Sequence, residues 1–171
     1  MDIRQLDRLV VMPVLRSLEL NPKPQQLEGE ALSARRLVIG TGLAESGFEH
    51  LNQIVKDQHP QVIGPAISFY QMERATHEDI WVNYLAYRDQ LKRLVEQWLH
   101  PGHMRWQQML WNMAYATAMC RVQYLRVKEK LPEPDNYLGL AEYWKEHYNT
   151  SKGKGTVENF LNHREQLEDV Y

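Results

Sequence analysis

Gly40-Thr41-Gly42-Leu43-Ala44-Glu45-Ser46-Gly47-Phe48 closes a run of apolar residues at helical spacing. That run predicts a helix from about Gln26 to Ser46, and Gly47 stands where a glycine ends a helix in a left-handed conformation. Glu45 then falls in the last turn, behind two glycines and an alanine. The negative end of the helix dipole and apolar neighbours both disfavour an ionised carboxylate there. Its pKa is expected to rise, as a general acid requires. The glycines let another backbone or a ligand come close to the helix.

Helical spacing extends outward from this stretch in both directions. Ile3, Leu6, Val10, Val14 and Leu18 form one stripe of a first helix, with a kink expected at Pro13. Asn21-Pro22-Lys23-Pro24 breaks it, which divides the chain into an N-terminal helix and linker (1–24) and a helical domain (25–171). Residues 48 to 75 are poor in helix signals and predict a small irregular or hairpin lobe. Thr76 followed by Asp79 predicts the cap of a helix burying Ile80, Tyr84, Leu91, Leu94, Val95 and Trp98, which ends at His100-Pro101-Gly102. One long helix is expected from about Met104 to Lys130, then one around Leu138 to Tyr148 and a last one capped by Thr156. The fold class expected is all-α, or α-dominated.

Composition narrows the function classes. The 171 residues suffice for one sizeable core, and 43% hydrophobic with 25% charged residues exclude disordered and fibrous classes. A net charge of −2 gives no overall basic footprint for nucleic acid. Cys120 is the only cysteine, which rules out an internal disulfide and a zinc ribbon; it reads as a small buried apolar group. No secretory signal and no membrane span are expected, so synthesis in the cytoplasm is.

Twenty-six residues after Glu45 lies Gln71, within Gly64-Pro65-Ala66-Ile67-Ser68-Phe69-Tyr70-Gln71-Met72-Glu73-Arg74-Ala75-Thr76. A Glu-Ser pair at a helix end, followed by a Gln-Met segment and Ala-Thr, resembles the lysozyme-like superfamily. It is most similar there to soluble lytic transglycosylases and small lysozyme-like proteins of bacteriophage virions. The resemblance spans roughly residues 31 to 160. It implies a lysozyme-like domain in which Glu45 is the catalytic acid and Ser46 its neighbour. Gln71, with Ser68 and Tyr70 beside it, then lines the sugar cleft. Tyr148-Asn149 is similar to the family's Tyr-Asn element, whose tyrosine reaches toward the catalytic carboxylate. Ser68 stands where the family usually has glycine, and Arg74 where it has proline. A side chain at 68 is expected to narrow the cleft.

The chemistry implied follows from the number of acids. A two-carboxylate glycosidase needs a second acid about 5 to 9.5 Å away. Asp57, Glu73, Glu78 and Asp79 are the candidates, each in the context of a solvated charge. A lytic transglycosylase needs Glu45 alone. Two function classes follow from the resemblance. One is a virion-associated enzyme that cleaves the glycan strand of peptidoglycan. The other is a structural or assembly protein of a phage particle, in its tail, connector or interior, that retains the fold without turnover. Partners expected are glycan strands, other phage structural proteins and further copies of the chain, with neither cofactor nor metal. A helical adaptor unrelated to sugars ranks third.

The remaining features read as structural. Trp98, Trp106, Trp111, Met104, Met109, Met113 and Met119 suggest a core face. His100 and His103 are separated by a helix-breaking Pro-Gly, and His77-Glu78-Asp79-Ile80-Trp81 lacks the second histidine of a zinc protease motif. Lys152-Gly153-Lys154-Gly155-Thr156 reads as a flexible basic turn.

Overall fold

The computed structural model describes residues 1–18, 27–55, 62–149 and 153–171. Its N-terminal rod joins α1 (Ile3–Leu6), a π-helical turn at Asp7–Val11 and α2 (Met12–Leu18). Asp2 caps it, accepting the Gln5 N–H at 3.1 Å. The π turn comes just before Pro13, which has no N–H to offer the preceding turn. Its wider winding moves the apolar stripe by one residue, so Val11 is fully buried and Val10 only partly.

This rod shares the core of the rest of the chain. Leu6, Val11, Val14, Leu15 and Leu18 are buried, and α2 packs on the later helix at Met113–Leu125. Asp7, itself buried, takes a two-pronged ion pair from Arg35, which also donates to the carbonyl of Tyr171 at 3.0 Å. A boundary at residue 24 therefore does not separate two cores; residues 19–24 lie outside the described residues.

α3 (Leu27–Ser46) runs through the centre, with Leu37, Val38 and Ile39 fully buried. It stops at Gly47, whose φ is +62° and whose N–H bonds Leu43 O at 3.0 Å. Gly40 and Gly42 seat two aromatic rings. A Cβ at Gly40 would stand 2.2 Å from the Phe160 ring, and one at Gly42 the same distance from the Phe48 ring. The close approach that these glycines permit is thus filled by the protein's own side chains.

The lobe after α3 is a three-stranded antiparallel sheet, β1 (Asn52–Val55), β2 (Val62–Ile67) and β3 (Met72–Glu73), in that order. Ile54 pairs with Ile63 and Ile67 with Met72, with a bulge between Asn52 and Ile54. α4 (Arg74–Asp79) begins directly after β3, so Thr76 lies inside the helix rather than at its cap. The helical path then runs through a π turn (Ile80–Tyr84) and a 3-10 turn (Leu85–Tyr87), breaks at Arg88 and resumes as α5 (Asp89–Glu96).

The long helix expected from 104 to 130 is two helices, α6 (Arg105–Trp111) and α7 (Met113–Leu125). Asn112 divides them: its side chain accepts the Tyr115 N–H at 3.0 Å and caps α7. Buried Gln108 grips the preceding turn, donating to the carbonyls of His100 (3.0 Å) and His103 (3.1 Å) and accepting from His100 N–H (2.7 Å). Within the proposed Met-aromatic face, Met109 and Met119 are buried, whereas Met104 and Trp111 are exposed. α8 (Tyr137–Trp144) continues into a π turn (Lys145–Asn149). α9 (Val157–Leu161), opened by a Thr156–Asn159 capping box, and α10 (Arg164–Glu168) finish a helix-dominated fold. Among the described residues no helix is long and apolar enough to cross a membrane.

Candidate functional site

The end of α3 and the turn between β2 and β3 meet, and that junction holds most of the residues singled out in the sequence. The turn Ser68–Gln71 is pinned from several sides. Ser68 N–H donates to Leu51 O (2.8 Å), and Gln71 N–H returns to Ser68 O (3.1 Å). Ser46 Oγ donates to Phe69 O at 2.7 Å while accepting from Phe48 N–H at 3.1 Å. Tyr148 donates its hydroxyl to Tyr70 O at 2.9 Å. Ser46 and Tyr148 thus hold successive carbonyls of one turn, and the turn sits fixed at the helix end.

Backbone strain concentrates in the same place. The non-glycine residues at positive φ among those described are Phe48 (+54°), Ser68 (+71°) and Gln71 (+46°). Such conformations cost about 1–2 kcal/mol each for an L side chain and persist only where the surroundings enforce them. Ser68 is buried and its Oγ accepts Tyr70 N–H at 3.1 Å. Its side chain bonds within its own turn, and a φ of +71° is a conformation that glycine adopts without strain. Tyr70 is buried too, its hydroxyl bonded to Thr117 at 2.9 Å. Gln71 is partly exposed and uses its amide N–H on Ser68 O at 2.6 Å. Its side-chain oxygen bonds none of the described residues and remains able to accept.

Glu45 occupies the last turn of α3 beside this pinned loop. Its Oε1 accepts two N–H groups, from the Trp144 indole and from the Asn149 amide, each at 3.2 Å. None of the described residues bonds Oε2. Burial pushes the carboxyl up from 4.5 to about 7, against the bonds from Asn149 and Trp144 and the charge of Lys145, which favour the ionised form. With Oε1 accepting in either state, the proton resides on Oε2, the oxygen left free to give it away. Beneath the carboxyl lies a neutral layer. Tyr124 and Thr41 share a 2.6 Å hydroxyl bond, the rings of Tyr124 and Tyr148 are 5.5 Å apart, and burial raises the Cys120 thiol.

The candidate second acids have other attachments. Glu78 pairs with Arg74 at 2.7 Å, and Asp79 bonds Asn83 (2.7 Å) and pairs with Arg126, which lowers its pKa. Glu73 is exposed at the end of β3, and Asp57 lies outside the described residues. Among the described residues no group of three His, Cys, Asp or Glu is placed to hold a metal ion.

Trp144 was not among the residues singled out, although it lies one turn ahead of Tyr148 and so shares its face. A fully buried indole needs an acceptor for its N–H, and Glu45 is that acceptor. Lys145 carries no such signal, and Gly153 and Gly155 read in the sequence only as part of a flexible basic turn. The close packing that makes those glycines matter has no signature in the local sequence.

No family model matches this chain, and no curated protein and no solved structure matches it either.

Proposed function

We propose that this chain is a lysozyme-like protein that cleaves the glycan strand of peptidoglycan, with Glu45 as its acid. One observation carries the reading: a carboxyl at a helix end whose pKa is lifted to about 7, held by two N–H donors on one oxygen and bonded to none of the described residues on the other. Near neutral pH it is present in both protonation states, as a group that first gives and then takes a proton must be.

The reaction proposed uses that carboxyl twice. Glu45 protonates the glycosidic oxygen as the bond to the anomeric carbon breaks. Its carboxylate then takes the proton from the 6-hydroxyl of the same muramic acid, whose oxygen closes on the anomeric carbon. The products are a 1,6-anhydromuramic end and a free 4-hydroxyl. Gln71, whose amide oxygen bonds none of the described residues, is the proposed contact to the sugar. Ser46, Ser68, Tyr70 and Tyr148 act behind it by holding the turn. Asn149 acts on Glu45 itself.

The resemblance supports a setting as a bacteriophage virion component, made in the host cytoplasm and delivered to the cell wall by the particle. The deciding experiment is digestion of purified peptidoglycan by the wild type and by Glu45→Gln. Release of soluble fragments by the first and not the second supports the reading. No release by either protein overturns it in favour of a structural particle protein.

A further inference from the structure

We propose that Lys145 is a positioning residue for Glu45, acting through Asn149: its ammonium grips the Asn149 amide oxygen and the Gly153 carbonyl, and so turns the amide N–H onto Glu45 Oε1. The inference rests on the reading of Glu45 as the acid and deepens it. Lys145 Nζ lies 2.9 Å from Asn149 Oδ1 and 2.9 Å from Gly153 O, and Asn149 Nδ2 lies 3.2 Å from Glu45 Oε1. An ammonium has three donors and no acceptor, so only the oxygen of the amide can face it. The amide rotated by half a turn would set its oxygen against the carboxyl, an arrangement tolerated only by the protonated acid. Lys145 therefore fixes which end of Asn149 the acid meets.

Gly153 and Gly155 brace the same arrangement from behind. A Cβ at Gly153 would fall 2.2 Å from Asn149 O and 2.3 Å from Asn149 Oδ1. One at Gly155 would fall 2.6 Å from the Trp144 ring and 2.8 Å from Asn149 Nδ2. Both N–H donors to Glu45 are thus packed under a segment that admits glycine at these two positions. Gly153 and Gly155, from the glycine-rich stretch seen in the sequence, form the back wall of the acid's hydrogen-bond shell.

Other titratable groups face Glu45 from neighbouring elements: Cys120 and Tyr124 on α7, and Tyr148 in the π turn. Burial raises the pKa of each, so they stay neutral over the range in which Glu45 titrates. The charge of Lys145 favours the carboxylate, and so does its hold on Asn149.

The test is the titration of the Glu45 carboxyl by carbon NMR in protein labelled at the glutamate side chain, with the signal assigned by its loss in Glu45→Gln. The wild-type midpoint is expected near 7. Lys145→Met should raise it by about half a unit or more, and Lys145→Arg should bring it back toward the wild type. An unmoved midpoint in Lys145→Met overturns the proposal. So does a shift that Lys145→Arg fails to reverse, because the change would then be general repacking. If Lys145→Met does not fold, Lys145→Gln, which keeps a donor and drops the charge, is judged by the same movement. The titration uses no glycan. Failure of the wild type to cut peptidoglycan therefore sinks the assignment of the reaction, whereas an unmoved midpoint sinks only the role of Lys145.

Discussion

The Trp144 indole donates to Glu45 Oε1 at 3.2 Å from a position 99 residues further along the chain. The bond satisfies a fully buried donor and ties down one oxygen of the carboxyl; among the described residues none bonds the other. Because both Trp144 and Asn149 favour the ionised form, burial must outweigh them to lift the pKa to about 7. Water reaching the site would remove that lift.

Glu45→Gln removes the transferable proton while an amide oxygen still accepts from Trp144 and Asn149. Glycan release from purified peptidoglycan should fall by at least ~100-fold, the lower end for a lost general acid. The measurement is soluble muropeptide released per unit time. Undiminished release by the variant would remove Glu45 from the mechanism.

Product ends report how the acid is used. A single carboxyl closing the substrate's own 6-hydroxyl leaves 1,6-anhydromuramic ends, whereas attack by water leaves reducing ends heavier by one water. Mass spectrometry of the fragments is expected to show anhydro ends. A population of reducing ends alone would point to a hydrolase with a bound water in place of the hydroxyl.

The pH dependence of stability has two opposed parts. The Glu45 carboxyl titrates at about 7 folded and 4.5 unfolded. The folded state therefore holds a proton that the unfolded state has lost, and stability falls as pH rises from 4.5 to 7. The difference amounts to about 3 kcal/mol at 1.36 kcal/mol per pH unit. His77 runs the other way: burial first, then Arg105, holds it at about 4 against 6.5 unfolded. Its contribution is full above 6.5 and is lost as pH falls toward 4. The two offset each other between 4.5 and 6.5. Urea melts of the wild type should be nearly flat across that window, while Glu45→Gln should lose stability steadily on acidification. A variant with the wild-type pH profile would refute the assignment.

Ser68 separates backbone strain from side-chain bonding. Ser68→Gly and Ser68→Ala both lose the bond to Tyr70 N–H, but only glycine relaxes a φ of +71°. Glycine should be more stable than alanine by about 1–2 kcal/mol in denaturant melts. Neither variant should open a cleft, since the side chain removed is buried in its own turn. Equal stabilities would mean that the turn bears no strain.

Removal of residues 1–18 should abolish cooperative unfolding. It strips Leu6, Val11, Val14, Leu15 and Leu18 from the core and leaves Arg35 without Asp7. Loss of near-ultraviolet circular dichroism is the expected signature. A truncated protein with a native spectrum and a sharp melt would show that the rod is dispensable.

Local patterns in the sequence determined the helix-dominated class, the Glu-Ser pair at a helix end and its glycine stop. Spacing of apolar residues, a glycine after the last turn and a cap at Thr156 act within a few residues and are legible one segment at a time. The same local reading missed the division at Asn112 and the π turn before Pro13. There a capping side chain or a missing N–H altered the winding inside an otherwise unbroken apolar pattern. Nor could the local reading show that Ser68 sits at positive φ, because φ at a single residue is imposed by the turn around it. Only the tertiary structure decided what surrounds Glu45: an indole, an amide turned by a lysine, and two glycines that let the chain press against both. The two bonds to Glu45 join residues about a hundred positions apart. They arise from burial and from donors that have nowhere else to bond, conditions that exist only once the chain has packed.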